Sequence, residues 1–520
     1  MTTVILAMFL ISLDRTIIGV AIPEITDEFN SVGDVGWYGS AFMLCQASSQ
    51  LLFGRVYKHQ SAKYTFLACV SLFEIGSAVC GAAPNSIALI FGRAIAGLGA
   101  GGIMSGGIQI MISIIPLNKR PMWQGLFGGI FGLGAAVGPL IGGALTSEVT
   151  WRWCFYINLP IGGATLVIIF FFMHLEADKK KKLNRISFKE QILQLDPIGA
   201  VFMFAFVICL VLALQLGGFT YPWSDGRIIA LLTVFAVTFL CFVAWQWHVG
   251  PTAMVPLKNF TQRTFTAACV WSMLSYGGMT AMIYYLPIWF QVIKDSDALH
   301  SSYQNLPFIL SLVIGSVLFG IVVRRSGHYV PSLIVTAILA PVGAGLISTF
   351  GLNTGHSEWI GYQVIYGFGI GHGMMGANMG VQSTFSDADL PVAMANVFFF
   401  QLMGAAIWLS VGENLFTTKL IDAVQGIPGV DPNTISSIGA TDIRSVFGDD
   451  PTALQGVIVA YNTALKSVWY LVTGLSASLV LPLVFFKWVN VNKEAARRKE
   501  AKRIAAAEQE STKTAQEVEA

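Results

Sequence analysis

Charge is what this 520-residue chain has least of. Asp, Glu, Lys and Arg make up 12% of it, against roughly a quarter in soluble domains. That shortage argues against a soluble enzyme or a nucleic-acid-binding domain, and 54% hydrophobic residues point to lipid as the solvent. Cysteine is scarce as well. The seven (Cys45, Cys69, Cys80, Cys154, Cys209, Cys241, Cys269) all fall in apolar runs, so no disulfide framework or metal-ligand spacing arises. No nucleophile–base constellation and no sizeable polar segment is present, which argues against catalysis. The first apolar run lacks a basic leader and carries charges where a signal peptide needs an apolar core, so it reads as a retained span.

What the chain has in abundance is long apolar segments. Fourteen of them, from Val4–Ile22 to Val468–Phe486, are long enough to cross ~30 Å of hydrocarbon. With the N-terminus inside, six of the 31 Lys and Arg fall on outer loops, two within spans, and the other twenty-three on inner loops or the tail. This asymmetry satisfies the positive-inside rule and places both termini in the cytoplasm. The run "KKKKLNRISFKE" (Lys179–Glu190) reads as a cytoplasmic connector that suits anionic lipid.

The chain also repeats itself. "RAIAGLGAGG" (Arg93–Gly102) aligns with "QVIYGFGIGH" (Gln363–His372), keeping Gly97/Gly367, Gly99/Gly369 and Gly101/Gly371 in register. Two homologous bundles therefore flank an inserted pair of spans, and parallel repeats of this kind are a transporter signature. The expected domains are an N-terminal six-helix bundle (1–174), the basic connector (175–196) and two inserted spans (197–248). A C-terminal six-helix bundle (249–490) follows, with a long outer loop at 419–466, and then a cytoplasmic tail (491–520).

Within the first span, Asp14 and Arg15 stand side by side at mid-membrane depth. Such charges are costly there and mark functional sites. Adjacent helical positions point ~100° apart, so the two do not pair with each other. Asp14 lies nine residues before Pro23, and Arg93 lies seven residues inside Ser86. At ~1.5 Å per residue they reach similar depth. A buried carboxylate facing an arginine releases it on protonation, which is what a proton-coupled switch needs. A permanent ion pair holding two helices is the competing role. Glu74 is a second buried carboxylate, read as structural before coupling, and Glu413 sits near an outer end, where solvation suffices.

Four segments, taken in order, resemble the major facilitator superfamily, specifically its fourteen-span drug:proton antiporters of fungi. They are "LDRTIIGVAIP" (Leu13–Pro23), "GRAIAGLGAGG" (Gly92–Gly102), "GLGAAVGPLIGG" (Gly132–Gly143) and "WRWCFYINLPIG" (Trp151–Gly162). The resemblance implies an all-α membrane protein of the major-facilitator fold, two six-helix bundles plus two inserted spans. It implies proton coupling through Asp14 and Arg93, and it makes Gly134, Gly138, Pro139, Gly142 and Gly143 an antiporter motif; ordinary small-residue packing explains those glycines equally well. One departure is notable. Four residues after Gly54, where the family carries an aspartate at its inner gate, this chain has Lys58. It also begins almost inside its first span, where relatives have a longer tail.

Candidate substrate contacts are Gln46, Gln109, Tyr276, Tyr284, Tyr285, Asn378, Gln382 and Gln401, polar or aromatic residues on cavity-lining spans. An apolar pocket with few polar groups suits neutral or weakly charged amphiphiles. His372 reads as packed rather than proton-carrying. The expected function is export of drugs, toxins or secondary metabolites by alternating access, driven by the proton gradient without a cofactor. The protein is expected to act as a monomer, in the plasma membrane or the vacuolar membrane, with no nucleic-acid partner. The alternatives are an importer of siderophores or of basic amino acids into a vacuole, and a non-transporting sensor.

Overall fold

A computed structural model describes residues 1–29, 31, 34–173, 194–218, 221–431 and 443–519. The connector Lys179–Glu190 and residues 432–442 of the outer loop lie outside the described residues. The first bundle of helices is α1 (Thr2–Phe29), α2 (Val35–His59), α3 (Ala62–Gly81), α4 (Ser86–Ile114), α5 (Arg120–Glu148) and α6 (Asn158–Phe172). Next come α7 (Pro197–Leu216) and α8 (Gly226–Val249). The remainder are α9 (Arg263–Lys294), α10 (Leu306–Ser326), α11 (Val330–Ile347), α12 (His356–Met374, continued as Gly376–Thr384), α13 (Leu390–Val424), α14 (Pro451–Ala477) and a tail helix, α15 (Val491–Glu519).

Every one of the fourteen expected segments falls on a helix. Among the described residues, eleven helices are long and apolar enough to cross a membrane by length and composition. The three that fall short are α2, α9 and α12, and their deficit has a local cause. They carry the interior polar residues Gln46, Ser48, Ser49 and Gln50, Ser272, Ser275 and Tyr276, and Gln363 and His372, all buried. Polar side chains that face a protein interior lower a helix's hydropathy without exposing it to lipid.

Local sequence sets the helix starts. Ser61 accepts from the Tyr64 N–H ahead of α3, Asn85 from Ala88 ahead of α4, and Asp196 from Gly199 ahead of α7. Each satisfies a backbone donor that the first turn leaves open. Asp450 accepts from the N–H groups of Thr452 and Ala453 and starts α14 at Pro451, well before the expected Val468. The hydropathy of this stretch is lowered by Asn462, Thr463 and Lys466. Asn462 is nevertheless consumed inside the fold: its Oδ1 accepts from Trp289 Nε1 at 3.2 Å and its Nδ2 donates to the Phe350 carbonyl at 3.4 Å. Helix α13 likewise runs on to Val424, so the loop expected over 419–466 is helical at both ends.

The packing is duplicated. Helices α2 and α3 pack on α4, and α1 on α5; likewise α10 and α11 pack on α12, and α9 on α13. The two sets meet through α5 against α10 and α2 against α13. A shift of eight helices exchanges those two seams, as a two-fold relation requires. The glycine repeat explains the close approach within each set. A Cβ on Gly97 would strike the backbone of Phe42 on α2, and one on Gly367 would strike the backbone of Phe308 on α10. Helix α7 leans on the α2/α13 seam, with Met203, Phe206 and Val207 clustering against Leu44, Leu51, Phe399 and Met403. Helix α8 packs chiefly on α7 and exposes Ile229, Val237 and Leu240.

Candidate functional site

Asp14 and Arg93, 79 residues apart, meet in the interior. Arg93 Nη1 lies 2.5 Å from Asp14 Oδ2, and the two side chains are 1% and 0% exposed. The other carboxylate oxygen accepts from Asn158 Nδ2 at 3.0 Å. Asn158 also donates to Ser77 Oγ at 3.1 Å, so α1, α3, α4 and α6 converge on one carboxylate. Arg93 is held in turn by the Tyr38 carbonyl at 2.9 Å from Nε and lies over the Phe42 ring, 4.5 Å from its centre. Charge, amide and ring contacts together make this buried charge tolerable.

Glu74 lies one turn further along the same interface. Its carboxylate fills the space beside Gly162 on α6, four residues after Asn158. Both of its oxygens are buried and make no hydrogen bond. A buried carboxyl left without hydrogen-bond partners is costly when ionised.

The two ends of the bundle differ. Where the chain's termini lie, the halves are bolted together. Lys58 at the end of α2 pairs with Asp389 at the start of α13 at 2.8 Å. The hydrogen bond from Lys58 holds the Asp389 carboxyl below the usual carboxylate range. Arg120 reaches Asp387 at 3.4 Å, and Arg498 of α15 reaches the same carboxylate at 3.7 Å while donating to the Ser383 carbonyl at 3.0 Å. Toward the opposite end, a Cβ on Gly19 of α1, or on Gly36 or Gly39 of α2, would meet nothing within 4 Å. At that end the side-chain positions of these three glycines are open. Among the described residues, no group of three or more His, Cys, Asp or Glu side chains is placed to hold a metal ion.

A family model of the Major Facilitator Superfamily matches residues 4–409. The chain belongs to the major facilitator superfamily. It is 44% identical over 491 residues to the MFS-type efflux pump MFS1 of Arthroderma benhamiae, covering 94% of this chain and 91% of that one. It is 41% identical over 486 residues to the rubrofusarin-specific efflux pump aurT of Gibberella zeae, covering 93% and 88%. Among solved structures, that of the human organic anion transporter MFSD10 superposes with a TM-score of 0.59 at 15% identity, covering 94% of this chain and 98% of that one; this likeness is one of fold alone.

In this major-facilitator frame the motif glycines of α5 lie against α1, the helix that carries Asp14. Gly134 faces Ser12, Gly138 faces Thr16, and Gly142 faces Ile17, with Gly143 near Val20. Thr16 Oγ1 donates to the Gly134 carbonyl at 3.1 Å, and Ser12 Oγ to the Phe131 carbonyl at 2.7 Å. Pro139 falls inside α5. The side-chain oxygens of Gln46, Gln109 and Asn378 and both amide atoms of Gln382 are buried without a hydrogen-bond partner, so these groups have capacity left for a ligand. Tyr276 and Gln401 stand side by side. Tyr284 is exposed, whereas Tyr285 is buried beneath it at 5.0 Å between ring centres. His372 is packed: it stacks on Phe368 and lies 3.2 Å from the Gly315 carbonyl.

Sequence reasoning missed Asn158, Ser77 and the bolts at the terminal end. Asn158 was within reach, because it lies in "YINLPIG" at the start of a span, where an amide needs a partner. Lys58 and Asp389 are 331 residues apart, and no local pattern joins them.

Proposed function

We propose that the protein exports small amphiphilic molecules in exchange for protons, by alternating access, with its terminal end in the cytoplasm. The observation that carries this reading is Asp14, a carboxylate wholly withdrawn from solvent and balanced by a single arginine. Such a group gains or loses a proton only together with a rearrangement of its partner, so proton binding is tied to helix movement. The ion pairs that join the halves at the terminal end, with open side-chain positions at Gly19, Gly36 and Gly39, suit an outward-facing state. Return to the inward-facing state breaks Lys58–Asp389 and the Asp387 contacts and closes the space around Gly19 and Gly39. Helix α1 is the natural moving part, since it joins Asp14 to the small-residue seam with α5. Export, rather than import, is supported by relatives named as efflux pumps. The basic connector and tail set the orientation by the positive-inside rule.

The test is transport in inside-out membrane vesicles with an imposed pH gradient, acid inside, against a panel of amphiphilic dyes. The reading expects uptake that requires the protein and collapses with a protonophore. Uptake that is indifferent to the protonophore would remove proton coupling, and accumulation only in the reverse orientation would make the protein an importer.

A further inference from the structure

Asp14 has two partners, Arg93 and Asn158, but its neighbour Arg15 has no carboxylate within ion-pairing distance among the described residues. Arg15 is half-buried at mid-membrane depth, and the polar contact of its guanidinium is with the Met43 sulfur on α2 at 4.0 Å. Across the interface it lies within electrostatic range of Tyr276 on α9, with Gln401 of α13 beside that ring. The first bundle and the second thus both contribute to its surroundings. One turn further along α1 and α2, Gly19 and Gly39 border open space. Arg15 therefore sits where the two bundles face each other, below the open positions of Gly19 and Gly39, and ~100° around α1 from Asp14.

Charge bookkeeping sharpens the point. Asp14 and Arg93 cancel, and Glu74 is walled off against α6. Of the other carboxylates, Glu24 lies nine residues along α1 from Arg15, ~13 Å at the helical rise, and Glu413 lies twelve residues along α13 from Gln401, ~18 Å. Among the described residues, the Arg15 guanidinium is left without a carboxylate partner. An unpaired cation in a membrane interior is expensive and marks a substrate or ion pathway. Its planar fork fits a carboxylate or an ionised enol or phenol.

We propose that Arg15 is an anion-binding residue between the two bundles, so that the transported amphiphiles carry an ionised acid on an apolar body, with Tyr276 and Gln401 as neighbouring hydrogen-bond partners. This rests on the transporter reading but not on its direction or its coupling.

The experiment is equilibrium binding to the purified full-length protein in nanodiscs at neutral pH, with no gradient. The probes are 1-pyrenebutyrate and 1-pyrenebutanol, one apolar body with and without the acid. A charge-assisted hydrogen-bonded pair predicts that the anion binds at least about tenfold more tightly. Arg15→Gln should bring that ratio to within about twofold of one, and Arg15→Lys should keep part of it, since it retains charge but loses the fork. A wild-type ratio near one, including binding of neither probe, overturns the proposal whatever the variants do. So does an anion preference that survives in folded Arg15→Gln protein. Loss of pH-driven transport with the anion preference intact would sink the coupling reading and leave this one standing.

Discussion

The two halves of the molecule share a scaffold and differ in charge. Gly97 and Gly367 seat their helices against the backbone of α2 and α10 in the same way. Four residues before each, the halves part. Arg93 is bound to a buried carboxylate, whereas its counterpart Gln363 donates to the Gln304 carbonyl at 3.1 Å. Both side chains are almost fully buried. Duplication has thus supplied two similar scaffolds, and the Asp14–Arg93 pair lies in the first of them.

The largest expected effect breaks that comparison directly. Arg93→Ala leaves Asp14 buried and unpaired and should cost about 3–5 kcal/mol of stability. Gln363→Ala removes one hydrogen bond and should cost about 1 kcal/mol. Thermal melting and yield in detergent measure both, and equal losses would mean that charge is not concentrated in the first half. Next in size are Gly97→Val and Gly367→Val, each of which drives methyl groups into a neighbouring backbone at about 1–3 kcal/mol. Here the halves should behave alike. A large difference would show that the shared glycines do not play the same part.

How far all this could be read from sequence depended on whether the signal was local. Helix positions, the glycine register and the common depth of Asp14 and Arg93 follow from composition and from counting residues along a helix. Helix α14 was misplaced at its start because a hydropathy window counts Asn462 as a cost, while the fold gives it Trp289 and Phe350 as partners. The gate was the hardest to read. The lysine four residues after Gly54 left open whether a charge pair survived there, and the structure rebuilds one with the signs exchanged, Lys58 on α2 and Asp389 on α13. That pairing depends on how two distant helix ends meet, and short-range pattern carries no information about it.

Smaller effects sharpen the contrast between the bolted end and the open one. Lys58→Glu should repel Asp389, and the double exchange with Asp389→Lys should restore the pair. In stability each step is worth no more than about 1 kcal/mol, because the pair is partly exposed. A cysteine cross-link between the ends of α2 and α13 should nonetheless form more slowly in the single variant and recover in the double. The smallest effect is one of pH. Asp389 is held below its usual range, so its pairing is fully present above the unfolded value of ~3.9 and is lost as pH falls through the lower folded value. Cross-linking should be flat from neutral pH down to that range and weaken below it.

The most direct test of the central claim is Asp14→Asn, which keeps the shape of the protonated side chain and an acceptor for Arg93. Expression, binding of an amphiphilic dye and pH-driven uptake in inside-out vesicles are measured on the same preparation. The account predicts folded protein that still binds the dye and still exchanges it down its own gradient, but no longer accumulates it when a pH gradient is imposed. Abundant Asp14→Asn protein with full pH-driven uptake would contradict it, and would pass the coupling role to Glu74.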